Sequence, residues 1–269
     1  MDIVKAIVIG AAGRMGNRIL WAIHETPNIY LAGAVERKDH PSLGRDAGEA
    51  AGMEKWEVPI SGDLKQVLPS GDVIIDFTNA ESSLKNLQAA AEGGKAAVIG
   101  STGFSPAQMD EVKGFARKVP CVLSPNMSVG VNVMFKIIGD LAQVLGDDFD
   151  VEVIEAHHRM KKDAPSGTAM KMGQILAQAL NRNLEQVGVY QRKGLMGERK
   201  KTEIGMQTIR AGDIVGEHTV IFGGMGERLE VTHRAHSRDN FARGAVRATG
   251  WIVKQKPGLY DMQDVLGLK

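Results

Sequence analysis

The chain is short of cysteine, of aromatic residues and of net charge, and each shortage removes a class of protein. A single cysteine in 269 residues, Cys121, cannot close an internal disulfide, which excludes a disulfide-stapled scaffold and fits a reducing compartment. A formal net charge of +1 at pH 7 argues against a dedicated nucleic-acid binder. No uninterrupted apolar run reaches the ~18 residues of a spanning helix. At the N-terminus Asp2 and Lys5 flank the first apolar run, without the hydrophobic region of a signal peptide. The expectation is a cytoplasmic protein that engages neither membrane nor nucleic acid. Glycine, by contrast, is plentiful at 32 residues, which implies tight turns and close backbone approaches.

The first such turn is Gly10-Ala11-Ala12-Gly13-Arg14-Met15-Gly16. The apolar run 3–9 precedes it, a helical pattern over Asn17–His24 follows, and a second apolar run from Tyr30 to Val35 ends in Glu36-Arg37-Lys38. Strand, glycine turn, helix, strand and a terminal acid form a dinucleotide fingerprint, although the spacing is GxxGxxG rather than GxGxxG. Glycines let the backbone approach a pyrophosphate at the helix N-terminus, and Glu36 is placed to accept hydrogen bonds from a ribose. Arg37 beside that acid can pair with a 2′-phosphate, so NADH and NADPH both fit.

The alternation continues through Val73–Phe77, a helix bearing Leu84, Leu87 and Ala91, a strand over Ala96–Ile99, and a capping box at Ser105-Pro106-Ala107-Gln108. Pro120–Leu123 is a further strand. These strands end in small polar loops, among them Gly100-Ser101-Thr102 and Ser124-Pro125-Asn126-Met127. In an open parallel sheet such loops line the ligand. Cys121 reads as a buried small hydrophobe.

A helix over Gly130–Leu145 leads to the densest chemistry in the chain. After the apolar residues Val151, Val153 and Ile154, the segment from His157 to Asp163 holds His157, His158, Arg159, Lys161, Lys162 and Asp163. It closes on Ala164-Pro165-Ser166-Gly167-Thr168. Ser166 can cap a helix running to Leu180, and the N–H groups of Ser166, Gly167 and Thr168 favour an anion. Residues 181–201 are polar and glycine-broken and read as a mobile loop. From Thr202 the pattern has period two, over Ile204–Arg210, His218–Phe222 and Leu229–His233, which reads as antiparallel strands with one exposed face, a candidate subunit interface. A last helix over Asn240–Lys254 is stopped by Pro257-Gly258, leaving a short tail. His233 and His236 lack a third ligand and fall on opposite faces of a strand, so no metal is expected. His24, His40 and His218 read as structural or surface residues.

These motifs together resemble the dihydrodipicolinate reductase family: GAAGRMG at 10–16, GSTGF at 100–104, SPNMSVGVN at 124–132, EAHHRMKKDAPSGTA at 155–169 and RAGDIVGEHT at 210–219. Ser101 departs from the family's usual threonine while keeping the hydroxyl. The resemblance implies an α/β protein with a Rossmann-type parallel-sheet domain and a second α+β domain with an open mixed sheet. The first would span 1–128, with a C-terminal helix at 239–269 returning to it. The second, 129–238, would bind substrate and build a homotetramer. The implied reaction is NADH- or NADPH-dependent reduction of a small cyclic dicarboxylate, with loss of water, to tetrahydrodipicolinate in lysine and diaminopimelate biosynthesis. By position, His157 and Lys161 would be catalytic, and His158, Lys161, Gly167, Thr168 and Arg238 would hold substrate. Gly10 to Met15, Glu36, Arg37, Gly100 to Thr102 and Ser124 to Met127 would hold the cofactor. Two rival readings are a semialdehyde dehydrogenase, which needs Cys121 as a reactive thiol, and a non-catalytic dinucleotide sensor, which has no use for the cations and imidazoles of 157–163.

Overall fold

Strands β1 (Val4–Ile9), β2 (Ile29–Val35), β3 (Ile60–Ser61), β4 (Val73–Asp76), β5 (Ala96–Ile99) and β6 (Pro120–Leu123) alternate with helices in a computed structural model that describes residues 3–269. Asp2 lies outside the described residues. The helices are α1 (Arg14–His24), α2 (Ala47–Ala50), α3 (Leu64–Val67), α4 (Ala80–Glu92) and α5 (Pro106–Ala116). Next come α6 (Val129–Leu145), β7 (Asp150–His157), α7 (Gly167–Ala179), α8 (Leu184–Val187), β8 (Gly188–Val189), β9 (Ile204–Arg210), β10 (Gly216–Gly223) and β11 (Arg228–Ala235). The chain ends with α9 (Asp239–Ile252), β12 (Gly258–Tyr260) and α10 (Met262–Leu266). It divides into two compact units, residues 1–129 with 238–269 and residues 130–237.

In the first unit all pairings of the seven-stranded sheet are parallel, in the order β12-β6-β5-β4-β1-β2-β3. Strand parity sorts its core. Ala6 and Val8 face α1 and α9 on one side, and Ile7 and Ile9 face the α4 and α5 layer on the other. The order reverses between β1 and β4, so the loops after these two strands border the crevice where such folds take ligands. Helix α1 begins at Arg14, three residues before the expected start, because the Gly13 N–H closes on the Gly10 carbonyl at 2.9 Å and turns the chain at once. The capping box at Ser105 and Gln108 forms as the spacing predicts.

The C-terminal segment holds more than the expected last helix and short tail. Helix α9 stops at Ile252, and the tail then adds β12 to the sheet edge beside β6 and finishes as α10. Proline and glycine end the helix, but pairing with an open strand edge and the edge-to-face packing of Tyr260 on Trp251 are tertiary effects.

The second unit holds a five-stranded mixed sheet, β11-β10-β7-β9-β8. Strands β10 and β11 form an antiparallel hairpin, as expected, but β9 runs parallel to β7. β9 and β10 are not paired with each other, because β7 lies between them. The turn 211–213 therefore crosses the end of β7, where Ala211 N–H bonds the His157 carbonyl and Arg159 N–H bonds the Gly212 carbonyl. The long excursion through α7 and α8 supplies the crossover that a parallel pair requires. Val151, Val153, Ile204, Met206, Val220 and Phe222 face α6 and α7 in one buried cluster.

Two expectations for this unit are modified. The stretch Val129–Asp148 is long and apolar enough to cross a membrane, which a search for uninterrupted runs misses because Lys136 and Asp140 interrupt it. Here Val131, Met134, Phe135, Ile138 and Ala142 pack into the sheet cluster, while Lys136 and Asp140 pair on the outer face. The segment expected to be a mobile loop is anchored. Arg192 makes a bidentate pair with Glu152, and Arg199 reaches Asp150, Glu152 and the Val151 and Glu203 carbonyls. Gly205 makes room for this clasp, since a Cβ there would lie 1.7 Å from a Glu152 oxygen.

Candidate active site

The glycine turn after β1 is shaped by close approach. Gly10 has φ +70°, and a Cβ on Gly16 would lie 2.0 Å from the Gly10 carbonyl oxygen and 2.6 Å from that of Ala11. Helix α1 thus presses its first turn onto the loop. Gly13 caps it with no side-chain hydrogen bond, and its first turn carries no acid. Its amide groups and dipole are therefore aimed at an anion. Glu36, at the end of β2, accepts from Ala12 N–H at 3.1 Å and from Arg37 N–H at 3.2 Å. The acid and the turn are thereby one unit, and a dinucleotide with its pyrophosphate on α1 and a ribose at Glu36 fits these residues. Arg14 is exposed, as is Arg37, which pairs with Asp39 at 3.2 Å.

The neighbouring loops are braced from within. Gly100 lies under the Phe77 ring, where a Cβ would overlap the ring at 2.1 Å. Ser101 is buried and shares a 2.7 Å hydrogen bond with Ser83 of α4, so its side chain belongs to the scaffold, whereas Thr102 is exposed. Ser124 Oγ donates to the Asn126 carbonyl, and Asn126 Oδ1 accepts from Ser128 N–H. Pro125 is exposed, and Met127 is buried against α9, where a Cβ on Gly244 would lie 1.8 Å from the Met127 carbonyl.

In the second unit the helix-facing side of the sheet changes from apolar to polar toward the end of β7. Thr208, Glu155, His218 and His233 lie in register across β9, β7, β10 and β11, and His157 and Arg210 pair one step farther along. Glu155, 1% exposed, is the hub. Its carboxylate accepts two bonds from Arg210 at 2.8 Å, one from Ser166 N–H at 3.0 Å and one from Thr208 at 3.3 Å, and contacts His157 Nδ1 at 2.6 Å. Burial alone would raise its pKa, but the Arg210, His157 and Ser166 hydrogen bonds outweigh burial and hold the carboxyl below its ordinary value.

His157 shifts down. Burial is the largest cause and disfavours its charged form; together with the Lys161 and Arg210 charges it outweighs the Glu155 contact, which favours that form. His218 is packed edge-to-face on His157 at 5.2 Å, and burial first, then His157, drives its pKa down to about 3. Its Nε2 lies 3.2 Å from Ser166 Oγ. Lys161 bonds both Asp163 oxygens at 2.9 Å, and Lys162 is exposed. His158 is half-buried, and its Nδ1 has no hydrogen-bond partner among the described residues.

Ser166 caps α7 by accepting from Ala169 N–H, and its own N–H is held by Glu155. Buried and engaged on both groups, it is scaffold rather than a free anion contact, which corrects the expectation for that residue. Gly167 and Thr168 follow it in the first turn. Arg238 is exposed at the N-cap of α9, in the first unit. Glu155 and Arg210 carry no local signal of their own in the sequence, although both stand inside the quoted motifs, and His218 reads there as structural or surface. Cys121 is fully buried, which pushes its thiol up to about 12, so it is no nucleophile.

The model of the dihydrodipicolinate reductase N-terminus matches residues 4–127, and that of the C-terminus matches residues 130–266. The 4-hydroxy-tetrahydrodipicolinate reductase of Syntrophus aciditrophicus is 61% identical over 99% of both chains. That of Geotalea uraniireducens is 59% identical over 99% of this chain and all of its own. A dipicolinate-bound dihydrodipicolinate reductase from Paenisporosarcina sp. TG-14 shares the fold with a TM-score of 0.76, at 23% identity over 97% of this chain and 98% of that one.

Proposed function

Because the chain belongs to the dihydrodipicolinate reductase family, we propose that it reduces 4-hydroxy-tetrahydrodipicolinate, with loss of water, to tetrahydrodipicolinate in lysine and diaminopimelate biosynthesis. The observation that carries this reading is the gathering of His157, Arg210 and the start of α7 around the buried Glu155 carboxylate, with the Lys161 loop tied to the same Arg210 through the Asp163 carbonyl. A bound nicotinamide would supply the hydride. The Gly10–Gly16 backbone and Glu36 would hold its pyrophosphate and ribose, with Arg37 at the 2′ position, so that NADH and NADPH both serve.

Reduction of a conjugated ring leaves electron density that a proton must quench. The Lys161 ammonium donates that proton and attracts a substrate carboxylate, exchanging Asp163 for it. His157, with its Nδ1 engaged by Glu155, offers Nε2 to the site. His158, Gly167 and Thr168 bind the dicarboxylate, the first turn of α7 favouring an anion. The open face of the second sheet, which carries Ile154, Ile209 and Ile221 at positions of the same parity, supports a homotetramer.

A coupled assay, with the upstream synthase supplying substrate and nicotinamide absorbance followed, tests the reading. Loss of absorbance with either cofactor is expected. Cofactor binding without oxidation on adding substrate would favour the sensor. Loss of activity in Cys121→Ser would favour the thioester enzyme.

A further inference from the structure

We propose that Glu155 and Arg210 are positioning residues: the Glu155 carboxylate holds the His157 ring as its Nδ1–H tautomer and ties it to the start of α7, while Arg210, pairing with the same carboxylate, offsets its charge at His157. An ionised carboxylate only accepts hydrogen bonds. In the 2.6 Å contact the proton therefore sits on His157 Nδ1, and the lone pair of the neutral ring is on Nε2. That nitrogen lies beside Gly216, where a Cβ would come within 3.1 Å of it, so the glycine keeps Nε2 clear.

A carboxylate facing an imidazole by itself would favour the imidazolium. Here the guanidinium of Arg210 also covers both Glu155 oxygens at 2.8 Å. The groups that face His157 are Glu155 on its own strand, Arg210 from β9, His218 from β10, and Lys161 from the loop, with Asp163 paired to Lys161. Two cations stand against two carboxylates, and burial then decides for the neutral ring. Arg210 also donates to the Asp163 carbonyl at 2.7 Å, so the loop bearing Lys161 hangs on the same guanidinium. One oxygen of Glu155 receives Ser166 N–H, so ring orientation and helix start are set together.

The inference rests on the reading of this cluster as the reaction site, but its test needs no substrate. Full-length protein labelled with 15N-histidine is titrated by NMR, with His157 assigned by its loss in His157→Gln. The neutral ring should carry its proton on Nδ1. In Arg210→Gln the His157 midpoint should rise by about one unit or more, and in Glu155→Gln it should fall. Arg210→Lys, which keeps the charge, should restore most of the Arg210→Gln shift. In the coupled assay Glu155→Gln should lower kcat by about tenfold or more with cofactor affinity unchanged.

A neutral His157 protonated on Nε2, or single variants that move the midpoint in the same direction, would overturn the proposal. If Glu155→Gln does not fold because Arg210 is left unpaired, the double variant Glu155→Gln/Arg210→Gln is compared with Arg210→Gln. A midpoint that fails to come back down refutes the charge balance. If the titrations behave as expected while the wild type reduces no substrate, the proposed activity fails and the positioning geometry stands.

Discussion

Replacing Lys161 by alanine separates a proton donor from a mere anchor. The Lys161 side chain is 21% exposed, but its partner Asp163 is 61% exposed, so water reaches and screens the pair. Such pairs contribute less than ~1 kcal/mol, so the variant should stay folded and its kinetics should report on the site. Loss of a general acid typically lowers the rate by 10²–10⁴-fold, roughly 3–5 kcal/mol of transition-state stabilisation, whereas loss of a charge contact alone raises KM. We expect kcat to fall by about 100-fold or more. Cofactor affinity should stay within about twofold, because the Gly10–Gly16 turn and Glu36 make their hydrogen bonds in the other unit. Steady-state rates with the upstream synthase, and cofactor titration by fluorescence, measure both. Lys162→Ala, altering an exposed neighbour, is the control and should be nearly silent. Retained kcat with a raised KM would refute the acid role and transfer it to His157. Sensitivity at Lys162 instead would refute the placement of the loop.

Gly16→Ala should lower stability by up to about 2 kcal/mol, an overpacking cost of ~1–3 kcal/mol less a helix-propensity gain of ~1. Since the obstructing atoms are the Gly10 and Ala11 carbonyls, dinucleotide affinity should also fall by about tenfold or more, equivalent to ~1.4 kcal/mol. Urea unfolding and cofactor titration measure the two, and unchanged affinity would mean that the turn is not the pyrophosphate site. Arg37→Ala should weaken NADPH more than NADH, and equal losses would show that the guanidinium does not meet the 2′-phosphate. The His218 imidazole, near 6.5 when unfolded and about 3 when folded, stays neutral in the native state while the unfolded chain takes up a proton. The unfolded state then binds more protons, so stability is full above pH ~6.5 and declines toward pH 3 by up to ~1.4 kcal/mol per pH unit. His218→Gln should flatten the dependence of unfolding free energy on pH between 6 and 4, and an unchanged slope would place the titrating group elsewhere.

Much of the site was legible in the sequence because its parts are local. The turn Gly10–Gly16, the cap at Ser166, and the row of cations and imidazoles at 157–163 each work within a few residues, so spacing alone exposes them. The parallel sheet was legible for a similar reason, since buried strands read as apolar runs between amphipathic helices. Family resemblance extended this to named roles, but through recurring motifs rather than contacts.

What tertiary structure alone decided is which distant groups meet. Nothing in the run 202–233 says that β9 joins β7 in parallel and leaves β10 to the other side, because period-two alternation marks a face and not a neighbour. The tail at 258–260 became a strand only because β6 offered an unpaired edge. Glu155 likewise reads as one acid at the head of a basic loop. Only folding brings Arg210, 55 residues on, to its carboxylate, and sets Ser166 and His218 beside each other. A side chain's charge and shape are written in the sequence, whereas its proton affinity and orientation depend on burial and on partners that the backbone path delivers.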